Sequence, residues 1–187
     1  MRKQAIIIAG IPGTGKTTLM KNVIKKLEQH GDFENQKLVK LIPSMFHKER
    51  NLHILGLYDD SDDVFQGTDK LSMACQPEFD DFLNKIDGAD VLFEGDRLLT
   101  GKTIDTLQKF NYNIRIVVLT TAAIERDRRY EERGSNQNKK FINSRQTKID
   151  RLSTRFDLLG YIDEYENNTM RDSEDIAVMV YKFVLTN

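Results

Sequence analysis

Cysteine, proline and long apolar runs are all scarce in this chain, and each scarcity removes a class of protein. The single cysteine, Cys75, can form neither an internal disulfide nor a Cys-rich zinc site, so the fold must be held by its core. Three prolines in 187 residues, with 39% hydrophobic and 30% charged residues, exclude a collagen-like or disordered chain. No apolar run approaches the roughly 20 residues that cross a bilayer, and the run over residues 5–9 is too short for the core of a signal peptide. The expectation is a cytoplasmic protein of one domain over residues 1–187, without a membrane partner. A net charge of −1 excludes a uniformly basic nucleic-acid coat but leaves room for a local basic patch.

What is present alternates between strand and helix patterns. Residues 5–9 (AIIIA) are continuously apolar and rich in β-branched side chains, as in a strand buried on both faces of a parallel sheet. From Thr17 the spacing turns helical, with Leu19, Val23, Ile24 and Leu27 on one side and Gly31 as a stop. Residues 37–43 and 52–58 read as short strands around a polar stretch over 44–51, forming a hairpin or entering the sheet separately. Residues 70–86 place Leu71, Ala74, Phe79, Phe82, Leu83 and Ile86 at helical intervals, bent or divided by Pro77. Strands over 90–93, 114–119 and 161–166 and helices over 102–110 and 176–185 complete the pattern. It predicts a three-layer α/β fold with a mostly parallel sheet. Ligands in such folds bind beyond the carboxyl ends of the strands, which points to the positions just after Ala9, Tyr58, Phe93 and Leu119.

The first of these carries the strongest signal. Residues 10–17 (GIPGTGKT) fit G-x-x-x-x-G-K-S/T between a strand and a helix, the phosphate-binding loop. Gly10, Gly13 and Gly15 let successive backbone N–H groups wrap a phosphate above a helix N-terminus, together with Thr14 and Thr18. Lys16 reaches the β- and γ-phosphates of a nucleoside triphosphate and the Thr17 hydroxyl ligates Mg²⁺. The N-K-x-D string at residues 84–87 ends a helical pattern ahead of the strand over 90–93 instead of following a strand, where a base-reading motif would stand, which disfavours a GTP switch.

Beyond residue 93 stands Glu94-Gly95-Asp96-Arg97. Glu94, the first carboxylate past the apolar run, is the favoured metal ligand or acceptor of the proton of an attacking hydroxyl. Asp69, after Gly67-Thr68, either caps a helix or serves as substrate-binding residue and general base, and Arg97 is a candidate substrate contact. Residues 126–155 hold ten basic and four acidic side chains, a net +6. Arg126, Arg129 and Arg133 recur on one helical face, where a mobile lid over residues 122–156 can close on the phosphates; Arg126 then contacts the nucleotide while Arg129 and Arg133 stabilise the transferred group. The same charge can instead grip a nucleic-acid backbone. The acidic turn over 59–63, His30, His47, His53 and Cys75 lack metal-binding spacing and read as structural.

The GIPGTGKT loop, the EGDR strand end and Arg126-x-x-Arg129-x-x-x-Arg133-Gly134 together resemble small P-loop kinases, the group that holds nucleoside, nucleotide, gluconate, zeta-toxin and polynucleotide kinases. Residues 67–73, 92–98, 134–137 and 145–148 look like a compact bacteriophage group, some members of which phosphorylate hydroxymethyl pyrimidines in DNA. The chain departs from adenylate kinases in lacking a D-G-x-P-R stretch. The resemblance implies an ATP- and Mg²⁺-dependent kinase transferring the γ-phosphoryl group to a hydroxyl of a nucleotide, a nucleoside or a modified base in DNA, located in the host cytoplasm if phage-encoded. The alternative is a nucleotide-dependent switch ATPase acting through a protein partner.

Overall fold

The computed structural model describes residues 3–59, 66–72, 74–134, 138–158 and 160–186. The sequence order is β1 (Gln4–Ala9), α1 (Lys16–Glu28), β2 (Phe33–Gln36), β3 (Ser44–His47), β4 (Leu52–Leu55), α2 (Phe79–Lys85), β5 (Asp90–Glu94), α3 (Gly101–Lys109), β6 (Asn113–Thr120), α4 (Ala123–Glu132), α5 (Lys139–Ser153), β7 (Ile162–Glu166) and α6 (Met170–Leu185). The seven strands form one sheet in the order β2-β3-β4-β5-β1-β6-β7. Its pairs are parallel except at β3, which runs antiparallel to both neighbours.

The uninterrupted apolar run of β1 follows from its central place, because both of its faces are covered. Ile6 and Ile8 pack with Leu19, Val23 and Leu27 of α1 and Ile176 and Val180 of α6. Ala5 and Ile7 face the other way, toward Phe79 and Phe82 of α2, Ile104 and Leu107 of α3, and Ile149 and Leu152 of α5. Helices on both sides of a mostly parallel sheet make the expected three layers. The parallel pairing of β1 with β5 and β6 brings the ends of these strands to one edge, where Ala9 pairs with Val118 and Ile8 with Glu94. No helix among the described residues is long and apolar enough to cross a membrane.

Two expectations are corrected. Residues 37–43 form no strand; β2 and β3 flank them, so the polar stretch after Pro43 supplies the pairing. Val39 and Ile42 are buried because the connection folds down onto the core, held by Glu78, which accepts from the Leu41 N–H at 2.6 Å. The periodicity over 70–86 yields helix only from Phe79. Pro77 falls in a short 3-10 turn, Gln76–Glu78, and Ala74 is exposed while Leu71, Phe79, Phe82, Leu83 and Ile86 are buried. Of the acidic turn over 59–63, only Asp59 lies within the described residues, as do only the flanks of the break in the lid at 134–136.

Candidate active site

The loop after β1 turns through left-handed backbone at Gly13 (φ 83°) and Gly15 (φ 85°), and there a side chain is excluded by space as well as by torsion. A Cβ on Gly13 would stand 2.7 Å from Arg126 Cγ and 2.9 Å from Tyr130 Cε1; one on Gly15 would meet Asn167 Nδ2. Loop, α4 and the segment after β7 are therefore fitted to one another. Asn167 Nδ2 donates to the Thr14 carbonyl at 2.8 Å, and the Tyr130 hydroxyl donates to the Pro12 carbonyl at 2.6 Å. The buried Thr14 hydroxyl bonds within the loop, to the Ile11 carbonyl at 2.9 Å.

Lys16 Nζ curls into the loop and donates to the carbonyls of Gly10 (2.9 Å) and Ile11 (3.2 Å). Burial holds its ammonium below its ordinary pKa, against the attraction of Glu94, Asp69 and Asp96. Glu94, buried at the end of β5, is pushed up to about 7 by desolvation, opposed by the Lys16 charge. Thr17 Oγ1 donates to its Oε2 at 3.4 Å and Tyr58 to its Oε1 at 3.1 Å, while the Thr68 hydroxyl donates to its main-chain carbonyl. A buried carboxylate this destabilised, next to a hydroxyl and an ammonium, is a seat prepared for charge.

A cavity of about 520 Å³ opens beside this cluster. Lys16, Asp69, Asp96, Arg97 and Arg145 form its polar side, and Pro12, Leu99, Phe141 and Ile149 its apolar side. Asp69 sits in a 3-10 turn, Thr68–Lys70, whose start carries no side-chain cap, so the capping role open to it in the sequence is not the one it takes. A second, smaller cavity of about 200 Å³ lies between α4 and the β7–α6 connection. Gly15, Thr18, Arg133, Asn167 and Met170 are among its walls.

The three arginines of α4 separate in role. Arg129 is held by the scaffold at every nitrogen: Nε donates to Glu125 (3.0 Å), Nη1 to the Gly13 carbonyl (3.0 Å) and Nη2 to the carbonyls of Asn167 and Asn168 (both 2.9 Å). It clasps α4 to the phosphate-binding loop. Arg126 packs its stem on Gly13 and leaves a buried Nε without a hydrogen-bond partner, and Arg133 makes no ion pair among the described residues. Arg128 pairs with Glu125 and Glu132 and belongs to a solvated face. Helix α4 buries none of its residues in the core, whereas α5 buries Ile149 and Leu152, so within the expected lid only α4 is free of core packing.

Sequence reasoning missed Tyr58, Asn167, Phe141 and the pair Arg145 and Lys148, which grip Asp96 at 2.8 and 2.7 Å. Tyr58 and Asn167 stand near the carboxyl ends of β4 and β7, where the strand-end rule points. Asn167 was overlooked because β7, alternating and half-exposed, does not advertise itself as part of the parallel sheet.

A phosphate-binding loop leading from a central parallel strand into a helix, with an acid on the neighbouring strand, defines a P-loop nucleotide-binding fold. Residues 6–150 match the family of the AAA domain, and the chain belongs to that family. None of the curated proteins matches it in sequence. Among solved structures it is similar to a sugar kinase from Janibacter sp., at 12% identity and a TM-score of 0.50 over 95% of this chain and 93% of that one, which establishes likeness of fold. A gluconokinase from Sinorhizobium meliloti, 8% identical over 99% and 98% of the two chains, has a TM-score of 0.49 and adds nothing to this.

Proposed function

We propose that this protein is an ATP- and Mg²⁺-dependent kinase that transfers the γ-phosphoryl group to a hydroxyl of an acceptor held in the 520 Å³ cavity. The observation that carries the reading is the convergence of Lys16, Glu94 and Asp69 where that cavity meets the phosphate-binding loop. The 200 Å³ cavity, next to Gly15 and Thr18, is suited to the nucleoside of ATP, with Arg133 on its wall and Arg126 packed against Gly13 of the phosphate-binding loop. Thr17 and Glu94 offer the hard oxygen donors that Mg²⁺ takes, and the desolvated Glu94 carboxylate has its charge compensated by a cation there. No group of three metal-binding side chains occurs among the described residues, so the remaining ligands come from triphosphate and water. Bound there, Mg²⁺ supplies neutralisation of developing phosphate charge.

Residue by residue, the division of labour follows position. Lys16 exchanges its loop carbonyls for the β- and γ-phosphate oxygens and neutralises charge that grows in the transition state. Asp69 lines the acceptor cavity and Glu94 does not, so Asp69 takes the hydroxyl proton and Glu94 serves the metal. The acceptor oxygen forms its bond to the γ-phosphorus as the bond to the β,γ-bridging oxygen breaks, the proton passes to Asp69, and ADP leaves. Arg97 and Asp96 hold the acceptor from the polar side. The apolar side, with Phe141 exposed upon it, favours an acceptor that carries a planar base: a nucleotide, a nucleoside or a modified base in DNA, as the phage-type resemblance implies.

The test is a screen for transfer of labelled γ-phosphate over nucleosides, nucleotides, sugar acids, and modified and unmodified DNA. Transfer to one class, abolished in Lys16→Ala with the circular dichroism spectrum kept, supports the reading. Full transfer by Lys16→Ala, or ATP consumption indifferent to every acceptor but accelerated by a protein, overturns it.

A further inference from the structure

A third cavity, of about 560 Å³, lies between the start of α3 and the outer face of α5, and neither nucleotide binding nor proton transfer uses it. Arg145, Lys148, Arg151 and Arg155 line it, with the hydroxyl-bearing Thr147 and Ser144. No carboxylate is among its walls in the described residues. The acids that hold these cations stand behind them. Asp96 serves Arg145 and Lys148 together, one carboxylate for two cations, and Arg155 is braced by Asp105 (2.9 Å) and Asp157 (2.6 Å). Arg151 makes no ion pair among the described residues and is exposed. Cations fixed in position with one left unmatched, facing an open space with no acid in its walls, match a tetrahedral oxyanion that accepts several hydrogen bonds at once.

Arg145 is shared: it lines both this cavity and the acceptor cavity, so the two are neighbours along α5. We infer that this second cavity is a phosphate site for the acceptor, so that the molecule phosphorylated carries a phosphate ester in addition to its reactive hydroxyl. The inference rests on the kinase reading for the word acceptor and on the cation cluster alone for the site. With the hydroxyl beside Asp69 and the ester phosphate drawn toward Arg151, the acceptor spans two cavities and is oriented by both ends. The same chemistry is offered by a monoester on a small molecule and by a diester in a strand.

The test fills the phosphate-binding loop with Mg²⁺ and the non-hydrolysable analogue AMP-PNP, so that added phosphates cannot bind there, and titrates thymidine, thymidine 5′-monophosphate and a short oligothymidylate by calorimetry. The expected result is binding of the phosphate-bearing ligands about tenfold or more tighter than thymidine, with the gap closed to within about twofold in Arg151→Glu and partly restored in Arg151→Lys. The salt dependence of oligonucleotide binding should fall by about one unit of slope in Arg151→Glu. Preference for the monophosphate identifies a small acceptor, and preference for the oligomer alone identifies a strand. No preference for phosphate in the unmodified protein, no binding of any of the three, or a gap that Arg151→Glu leaves unchanged overturns the inference. Failure of AMP-PNP to bind overturns the kinase reading instead, and the same titrations without it still decide the phosphate site.

Discussion

The Tyr58 hydroxyl donates to Glu94 Oε1 at 3.1 Å, on the opposite side of the carboxylate from Thr17, which meets Oε2 at 3.4 Å. Burial and the neighbouring Glu94 charge hold the Tyr58 phenol far above its ordinary pKa, so it remains a donor at every working pH. One oxygen of Glu94 is thereby fixed by the protein and the other is turned toward the phosphate-binding loop. Tyr58→Phe removes the fixing hydrogen bond and keeps the ring against Gly67. With Glu94 in its proposed role at Mg²⁺, Tyr58 would orient the metal ligand, and the variant should need about tenfold more Mg²⁺ for half-maximal transfer with the KM for acceptor little changed. A Mg²⁺ titration of the transfer rate measures this; an unshifted midpoint would show that Tyr58 serves the fold alone.

Arg129 was expected to face the transferred phosphoryl group and instead joins three backbone carbonyls from the loop and the β7–α6 connection. Arg129→Ala should leave these carbonyls poorly satisfied and detach α4 from the loop, weakening ATP binding about tenfold and lowering the midpoint of thermal unfolding. Arg129→Lys should not restore either property, since an ammonium cannot reproduce a fork that reaches both Gly13 and Asn167. Equilibrium binding of AMP-PNP separates this from a transition-state role. A large loss of turnover with unchanged nucleotide affinity would return Arg129 to the catalytic set.

How much of this was legible in the sequence depends on whether a feature is local. The phosphate-binding loop is a contiguous motif whose backbone geometry is dictated by its own glycines, and its strand and helix stand where the pattern places them. Residues 37–43 mislead because apolar content suggests strand pairing, whereas Val39 and Ile42 reach the core from a loop. The clasp made by Arg129 was hidden for another reason. An arginine at helical spacing beside a phosphate site looks the same in sequence whether its guanidinium meets a ligand or the carbonyls of Gly13 and Asn167, which lie 116 and 38 residues away. Asp96 likewise reads as a second strand-end acid, and only the packing of α5 reveals it as the counter-ion of Arg145 and Lys148.

His53 supplies a pH dependence away from the site. It lies in β4 with Nδ1 3.1 Å from Ser44 Oγ, stacked on Phe46 and edge-on to Phe82, and it is 3% exposed. Burial pushes its imidazole down from 6.5 to about 4. The unfolded chain therefore takes up a proton near pH 6.5 that the folded protein refuses until about pH 4, and stability must fall as the pH drops through that window. The loss from this residue is at most about 3.5 kcal/mol, at about 1.4 kcal/mol for each unit. Urea unfolding at a series of pH values should show a flatter acid limb in His53→Gln than in the unmodified protein, whatever the offset at neutral pH. Parallel limbs would mean that His53 titrates alike in both states.

Phe141 offers the sharpest handle on the acceptor. It is 41% exposed, lines the 520 Å³ cavity proposed for the acceptor, and carries the Arg145 guanidinium over its ring at 4.4 Å. An exposed aromatic side chain held rigid by a cation is a stacking surface, and stacking of a base on such a ring is worth about 1–3 kcal/mol. Phe141→Ala should therefore raise the KM for a base-bearing acceptor about tenfold while leaving kcat nearly unchanged, the pattern of an interaction present equally in the ground and transition states. The chain contains no tryptophan, so Phe141→Trp introduces a single indole at this wall, excited selectively over the six tyrosines at the red edge of absorption. Its fluorescence should be quenched on titration with nucleosides or nucleotides in the presence of Mg²⁺ and AMP-PNP, and should respond little to sugar acids. Quenching by sugar acids alone, with an unaltered KM in Phe141→Ala, would remove the base from the acceptor and leave only its hydroxyl.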